Sequence, residues 1–371
     1  MITAHRAGHA ALVEQLHQRG LLDDTWRDVW YAVPREPFIP QQAWRQEATR
    51  CVPLTTEDEW LTLIHADEPV VIQVDDGRAD GPGIATSSNS QPSMVARMLM
   101  LLAVEDGHRV LEIGTASGHL AALLSCRLGD DHVYSIEVDE GLATHAARAL
   151  HAVNLQPHLA CADGQWGWPA PHESRFDRIV VTCALRHIPH ALVQQLRYGG
   201  VLVAPMARDF WSGALVRLTA HGDGTAEGRF HGGASYMPMR SHRQQDAVPV
   251  DDSTARRYAG VLAPRELLSL GFALYAGARL PGVRMWHSGT DPDVRVWLQD
   301  EKGSAATAGE EDVWQYGARD LWREVERVHA EYVRLGCPGH ADFGLTVTPG
   351  GEGVWLRSPA RILDALVHPG G

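Results

Sequence analysis

Arg109-Val110-Leu111-Glu112-Ile113-Gly114-Thr115-Ala116-Ser117-Gly118 is the stretch that decides the fold of this chain. Its first five residues are a short apolar run interrupted only by Glu112, the pattern of a strand buried in a parallel sheet. The next five are small and bounded by glycines, so the backbone turns sharply there. From His119 to Leu128 the pattern becomes helical. Working outward, Val133–Glu137 reads as a second strand and about 141–153 as a second helix. A third strand lies near 157–162 and a fourth at Phe176–Val181. A helix over about 189–196 leads into a fifth strand, Gly199–Pro205. Strands alternating with helices at this spacing predict an α/β fold built on a parallel, doubly wound Rossmann-like sheet.

Upstream, residues 5–33 read as helices, with Leu12, Val13 and Leu16 on one face and Trp26, Val29 and Trp30 continuing the period. Val33-Pro34-Arg35-Glu36-Pro37 ends them. The stretch 40–88 has no clear period and closes in a turn-rich run, Asp75–Gly83, expected to be an exposed loop. A helix is expected over 92–104, with Pro92 in its first turn. Downstream, Gly213–Thr219 and Gly228–Met237 read as further strands. The polar run Ser241–Asp246 marks a boundary near 242–258. Beyond it a small α+β domain is expected: a strand with Val294, Val296 and Leu298, and a helix with Leu321, Val325, Val328, Tyr332 and Leu335 closed by Gly336. A hairpin follows, with Phe343, Leu345 and Val347, a turn at Pro349–Gly353, and the return Val354–Leu356. The expected division is 1–88 as an N-terminal helical, substrate-side segment, 89–242 as the core, and 250–371 as a C-terminal extension.

Composition narrows the function. The net charge is −13 and no Lys/Arg-rich run exists, so a nucleic acid is not the expected partner. No apolar run is long enough to cross a membrane, and the start MITAHRAGHAALVEQL is polar, so a cytoplasmic protein is expected. The 5 cysteines form no C-x-x-C pair and are read as free thiols. The histidines show no zinc spacing, and no metal is expected.

The turn after the first core strand reads G-x-A-x-G, with Glu112 two residues before Gly114. A dinucleotide site would want G-x-G-x-x-G. The observed pattern suits S-adenosyl-L-methionine, which has no pyrophosphate and carries an ammonium and a sulfonium. Glu137 ends the second strand, where an acid accepts ribose hydroxyls. Asp163-Gly164 follows the third, where a carboxylate receives an adenine amino group. A tight turn with solvated loop acids is the structural alternative for each. Three such features at the C-terminal edge of one parallel sheet favour a ligand site, because ligands bind at that edge.

With these residues in place, the chain resembles the protein-L-isoaspartate O-methyltransferase family over about residues 8–242. The resemblance rests on Val33-Pro34-Arg35-Glu36 with Phe38, on Ser90-Gln91-Pro92 with Met94-Val95-Ala96, and on Val110–Gly118. It continues in Asp163–Trp168, Phe176–Thr182, Gly199–Val203 and Tyr236-Met237-Pro238-Met239. It implies a class I methyltransferase sheet, S-adenosyl-L-methionine as donor and S-adenosyl-L-homocysteine as product. It also implies that Ser90 lies beside the transferred methyl and bonds the substrate carboxylate, a helix cap being its competing role. Glu112, Gly114, Thr115, Ala116, Gly118 and His119 would line the donor, with Glu137 on ribose and Asp163-Gly164 by adenine. Ser88, Asn89 and Gln91 beside Ser90, and Cys183 and His187 after the fourth strand, would face the substrate.

Departures from the family pattern shape the expected substrate. Ala116 stands where glycine is usual and His119 where an aromatic is frequent. Gly83–Asn89 differs from the usual Thr-Ile-Ser approach to the serine. The chain also runs on to residue 371, past where the repair enzymes generally end. That pattern is similar to methyltransferases that tailor ribosomally made peptides (graspetides, lanthipeptides, lasso peptides), which esterify an aspartate and leave an aspartimide. The expected substrate is therefore an aspartate-containing peptide or protein. The extension, with Trp286, Trp297, Trp314, Trp322 and Trp355, is expected to hold the peptide. Isoaspartyl repair is the alternative, and a non-catalytic S-adenosylmethionine-binding scaffold a further one.

Overall fold

The computed structural model describes residues 2–47, 50–170, 175–244, 248–290, 292–309 and 312–367. The chain divides into two compact units. The first comprises Met1–Cys183, Ala191–Val203 and Ala220–Asp223, the second Ala184–His190, Ala204–Thr219 and Gly224–Gly371.

The first unit opens with helices α1 (Ile2–Gln18) and α2 (Asp24–Ala32). Asp23 caps α2 by accepting from the Trp26 amide at 2.7 Å. The region without sequence period folds into short strands and one helix: β1 (Trp44–Gln46), β2 (Cys51–Pro53), α3 (Glu57–Ile64), β3 (Val70–Val74) and β4 (Ala85–Asn89). These strands form an antiparallel sheet in the order β2-β1-β3-β4. β1 and β2, at three residues each, are too short to display alternation in the sequence. The helix had a signal that went unused: Thr56-Glu57-Asp58-Glu59 is a capping box, with both reciprocal bonds formed. The segment Asp75–Gly83 is largely exposed, as expected, with one buried residue at its start. Asp75 is buried and its carboxylate accepts from the amides of Gly83 (2.7 Å) and Ile84 (2.9 Å), so the run folds around it.

The core follows as the sequence predicts: α4 (Pro92–Leu102), β5 (Val110–Ile113), α5 (His119–Leu128), β6 (Val133–Glu137), α6 (Glu140–Ala152), β7 (His158–Cys161), β8 (Phe176–Val181), α7 (His190–Gln194) and β9 (Leu196–Arg208). In this unit the strands lie in the order β9-β8-β5-β6-β7, and the paired strands are parallel. The order reverses between β5 and β8, which creates a crevice at their C-terminal ends. Val110, Leu111, Ile113, Ile179, Val180 and Val181 are buried, as a strand between two helical layers requires.

The second unit contains β10 (Trp211–Ala220, to Thr219), β11 (Ala226–Gly233), β12 (Arg256–Tyr258), α8 (Leu270–Arg279), β13 (Val283–Ser288), β14 (Arg295–Asp300), β15 (Ala305–Ala308) and β16 (Val313–Tyr316). It ends with α9 (Leu321–Arg334), β17 (Phe343–Thr348), β18 (Gly351–Leu356) and β19 (Ile362–Val367). One sheet runs β10-β11-β17-β18-β19, the other β12-β16-β15-β14-β13. The expected boundary near 242–258 differs from this division, and Gln245 and Asp246 of the polar run lie outside the described residues. The physical reason is strand pairing: Ala226–Arg229 of β11 bonds antiparallel to Gly344–Val347 of β17, so early and late segments share one sheet. Glu352, expected in a turn, is a buried residue of β18.

Candidate active site

The turn between β5 and α5 is built from its backbone. The amides of Gly114 and Thr115 both donate to the Ile136 carbonyl, at 2.8 and 3.1 Å, which ties the turn to β6. Gly114 has φ +100°, and a Cβ there would lie 2.6 Å from the Thr182 hydroxyl. That hydroxyl reaches the carbonyls of Ile113 (3.0 Å) and Gly114 (2.8 Å), closing the switch point between β5 and β8. Ala116 adopts φ +48°, a left-handed conformation that a Cβ makes costly. Its amide donates to Glu137 at 2.8 Å. Gly118 is the residue on which α5 begins.

Below the turn, Glu112 is fully buried. It accepts from the Ser135 hydroxyl at 2.6 Å, and Ser135 is bonded to the Thr115 hydroxyl at 2.6 Å. Burial raises the Glu112 carboxyl to about 8 against the opposing Ser135 bond. Glu112 and Thr115 therefore stiffen the turn through a buried chain of hydroxyls.

Glu137 is positioned differently. Its two oxygens accept from the amides of Ala116 (2.8 Å) and Asp139 (3.0 Å). Burial raises its pKa, and these amides oppose the rise. Each carboxylate oxygen has a further lone pair, so the group can still accept ligand hydroxyls. Asp163 accepts from the Gln165 amide (3.0 Å) and side-chain amide (2.7 Å) and caps the Gly164–Trp166 turn. Gly164 packs on β5, where a Cβ would stand 2.4 Å from Ile113 Cγ2. Cys183 belongs to this cluster. Its thiol is pushed up to about 12 by burial and by the charges of Glu137 and Asp163, so it stays protonated.

These residues fit an adenosyl-methionine ligand on three counts. The turn Gly114–Gly118 carries no large side chain, a carboxylate with spare lone pairs ends β6, and a second carboxylate follows β7. Gly114, Thr115, Ala116, Gly118, Glu137, Asp163, Gly164 and Cys183 lie in one unit, at or just after the C-terminal ends of β5, β6, β7 and β8, with Glu112 buried beneath the turn.

His119 departs from expectation. Its ring bonds the Val33 carbonyl at 3.1 Å and packs against Trp30 and Phe38. Burial lowers its pKa to about 3, so it is a neutral packing residue joining α5 to the N-terminal segment. His187 belongs to the second unit, where its ring lies 4.3 Å from that of His242.

The serine segment has its own internal order. Asn89 is buried, accepting from Arg35 Nε at 2.7 Å and donating to Ser117 at 2.8 Å, so its side chain joins three elements. Gln91 donates to the Asp67 carbonyl at 2.9 Å. Asp67 also caps α4, accepting from the Ser93 amide at 2.8 Å, which assigns elsewhere the capping role considered for Ser90. Ser90 is half-buried between β4 and α4, and Ser88 is half-buried on β4 opposite Val71.

Arg35 is the residue whose role the sequence left unassigned. It is fully buried and donates to the carbonyls of Ile64 (3.0 Å), Ala66 (3.2 Å) and Glu68 (3.1 Å) as well as to Asn89. Desolvation lowers its pKa to about 9. Its fork of donors is satisfied by neutral acceptors, and it thereby fixes the segment that carries Asp67 and, through Asn89, the approach to Ser90.

Residues 7–244 match the family described as Protein-L-isoaspartate(D-aspartate) O-methyltransferase (PCMT). The chain belongs to this family. An isoaspartate O-methyltransferase 2 of Shewanella sediminis is 33% identical over 245 residues, covering 65% of this chain and 86% of that one. The Methylorubrum populi protein-L-isoaspartate O-methyltransferase is 33% identical over 234 residues, 63% of this chain and 95% of that one. A solved protein-L-isoaspartate O-methyltransferase structure aligns with a TM-score of 0.54 at 18% identity, covering 94% of this chain and 99% of that one. This likeness of fold extends past residue 244. As a member, the chain is an S-adenosylmethionine-dependent methyltransferase of (iso)aspartyl carboxylates. Among the described residues, no helix is long and apolar enough to cross a membrane.

Proposed function

We propose that this methyltransferase esterifies the free carboxylate of isoaspartyl residues in polypeptides, the first step of their conversion back to aspartate. The observation that carries the reading is the family match over 7–244 combined with Gly114, Glu137 and Asp163 placed just after the C-terminal ends of β5, β6 and β7. The bound donor supplies a methyl group on a sulfonium.

The chain's own work is positional. A carboxylate is ionised at neutral pH, so no general base is required. Ser90 donates to one substrate oxygen and aims the other at the methyl. Glu137 accepts ribose hydroxyls through its remaining lone pairs, and Asp163 receives the adenine amino group. Holding the reacting atoms in line supplies most of the rate. With the donor bound, this positioning would let a carboxylate oxygen take the methyl as the carbon–sulfur bond breaks, to leave a methyl ester and a neutral thioether. The following residue's amide nitrogen then attacks the ester, loses its proton and expels methanol, closing a succinimide.

A second reading is esterification of an ordinary aspartate in a constrained ribosomal peptide, with a lasting aspartimide as product. The approach strand Ala85–Asn89, which differs from the family pattern, favours it. Chain length does not, since a solved isoaspartate methyltransferase structure covers 94% of this chain. Methyl transfer read by mass spectrometry on matched isoaspartyl, aspartyl and cyclised peptides decides between them. Turnover on the isoaspartyl peptide is expected. Turnover confined to the aspartyl or cyclised peptides would replace the first reading by the second, and donor binding without turnover on any would leave a scaffold.

A further inference from the structure

The sheet β12-β16-β15-β14-β13 has two unlike faces. On one, Val296, Leu298, Ala306, Ala308 and Val313 are buried and α9 packs with Trp322, Val325 and Val328. On the other, the register sets residues directly opposite one another in a single row. Trp286 faces Trp297, Trp297 faces Thr307, Thr307 faces Trp314, and Trp314 faces Arg257. The rings of Trp286 and Trp297 stack at 6.5 Å and 7°. Arg257 lies over the Trp314 ring at 5.7 Å and pairs with Asp312. Trp286 is 44% exposed and Trp314 41%, whereas Trp322 and Trp355 are buried in the core.

Large aromatic side chains are costly to leave in water, and a row of them on one face marks a recognition surface. The charge of the row points to its partner. Arg284 and Arg295 stand two positions from Trp286 and Trp297 on the same face, and they add two cations to the Arg257–Asp312 pair. This occurs in a chain of net charge −13. Arginine beside indole suits carboxylates in an extended chain, whose side chains alternate between ring and guanidinium contacts. The row crosses four strand spacings, roughly 19 Å at about 4.8 Å each, the length of about six extended residues.

We propose that this face binds an extended acidic segment of the polypeptide substrate, separate from the residue that is methylated. The inference rests on the reading that the substrate is a polypeptide. It is tested on the full chain with a fluorescein-labelled peptide of alternating aspartate and serine that has no isoaspartate, against its asparagine and lysine counterparts and an oligouridylate. Fluorescence anisotropy is expected to rank the aspartate peptide first, with binding weakened by salt. Trp286→Ala combined with Trp314→Ala should weaken it at least tenfold while the affinity for S-adenosylhomocysteine and the melting temperature hold. Arg295→Glu, a surface change, should weaken the aspartate peptide and strengthen the lysine one. On an isoaspartyl peptide, an added acidic tail should lower KM in the unmodified enzyme but not in the tryptophan variant, with kcat the same. Equal binding of all three peptides, or indifference to both variants, would overturn the proposal. So would tighter oligouridylate binding that depends on the same tryptophans. If the aspartate probe binds as stated but no isoaspartyl peptide is turned over, the reaction assignment fails and the docking face stands.

Discussion

Two buried carboxylates, one in each unit, show how burial serves different ends. Glu137 in the crevice is held by two backbone amides and keeps lone pairs for a ligand. Glu352 on β18 is held by a cation as well as an amide: one oxygen accepts from Arg208 at 2.6 Å, the other from the Ile188 amide at 2.8 Å, and Arg208 also bonds Asp364 at 3.0 Å. Burial raises the pKa of both, and only Glu352 has an adjacent cation to oppose it. Neutral donors leave a carboxylate available to an incoming group, while a cation completes it as structure.

The largest expected effect sharpens this contrast. Glu352→Ala takes one of two carboxylates from Arg208, which keeps Asp364, and leaves the buried Ile188 amide without its acceptor, so it should cost about 3 kcal/mol of stability in urea unfolding. Below the unfolding transition its affinity for S-adenosylhomocysteine should match the parent. A parallel loss of affinity would show that the crevice depends on this network. Glu137→Gln should differ in its effect on affinity. Calorimetric titration with S-adenosylhomocysteine should show a loss of roughly 1.5–3 kcal/mol, the range for bonds to a charged group, and because glutamine can accept from only one of the Ala116 and Asp139 amides, stability should fall by about 1–3 kcal/mol as well. Unchanged affinity would remove Glu137 from the donor site.

His119 offers a pH-based test. Its folded pKa is lowered to about 3 from 6.5, so between those values the unfolded chain binds more protons than the folded one. Stability is therefore complete above about 6.5 and is lost as pH falls toward 3. From pH 7 to pH 5 this one group should remove about 2 kcal/mol. His119→Gln should flatten that part of the stability profile, and an unaltered profile would place the acid sensitivity elsewhere. The smallest effect is at Ala116, whose left-handed backbone carries strain that glycine relieves. Ala116→Gly should change stability by no more than about 1 kcal/mol, because the added freedom of the unfolded chain offsets the relief. A loss well beyond that would mean the Ala116 methyl has a packing role near Leu142 and Ile72.

The peptide-holding role expected of the extension is tested better by point variants than by removing 250–371. Such a cut would take β17 from β11 and leave an unpaired edge within one sheet.

By itself the sequence determined the strand–turn–helix at 109–128, the succession of strands and helices along the parallel core and the acids that end β6 and follow β7. Those features are local: apolar periodicity, small residues at a turn and a carboxylate at a strand end are visible over a few positions. Tertiary structure decided the rest, because the partners lie far apart in the chain. Arg35 acquires its role from carbonyls at 64, 66 and 68 and from Asn89. Asp67 caps a helix that begins at 92, and His119 is a packing residue because Val33, Trp30 and Phe38 receive its ring. The tryptophans of the extension look alike in sequence. Strand register alone placed Trp286, Trp297 and Trp314 on an outward face and packing took Trp322 and Trp355 into the core, since which face a side chain takes depends on pairing across strands rather than on its neighbours along the chain.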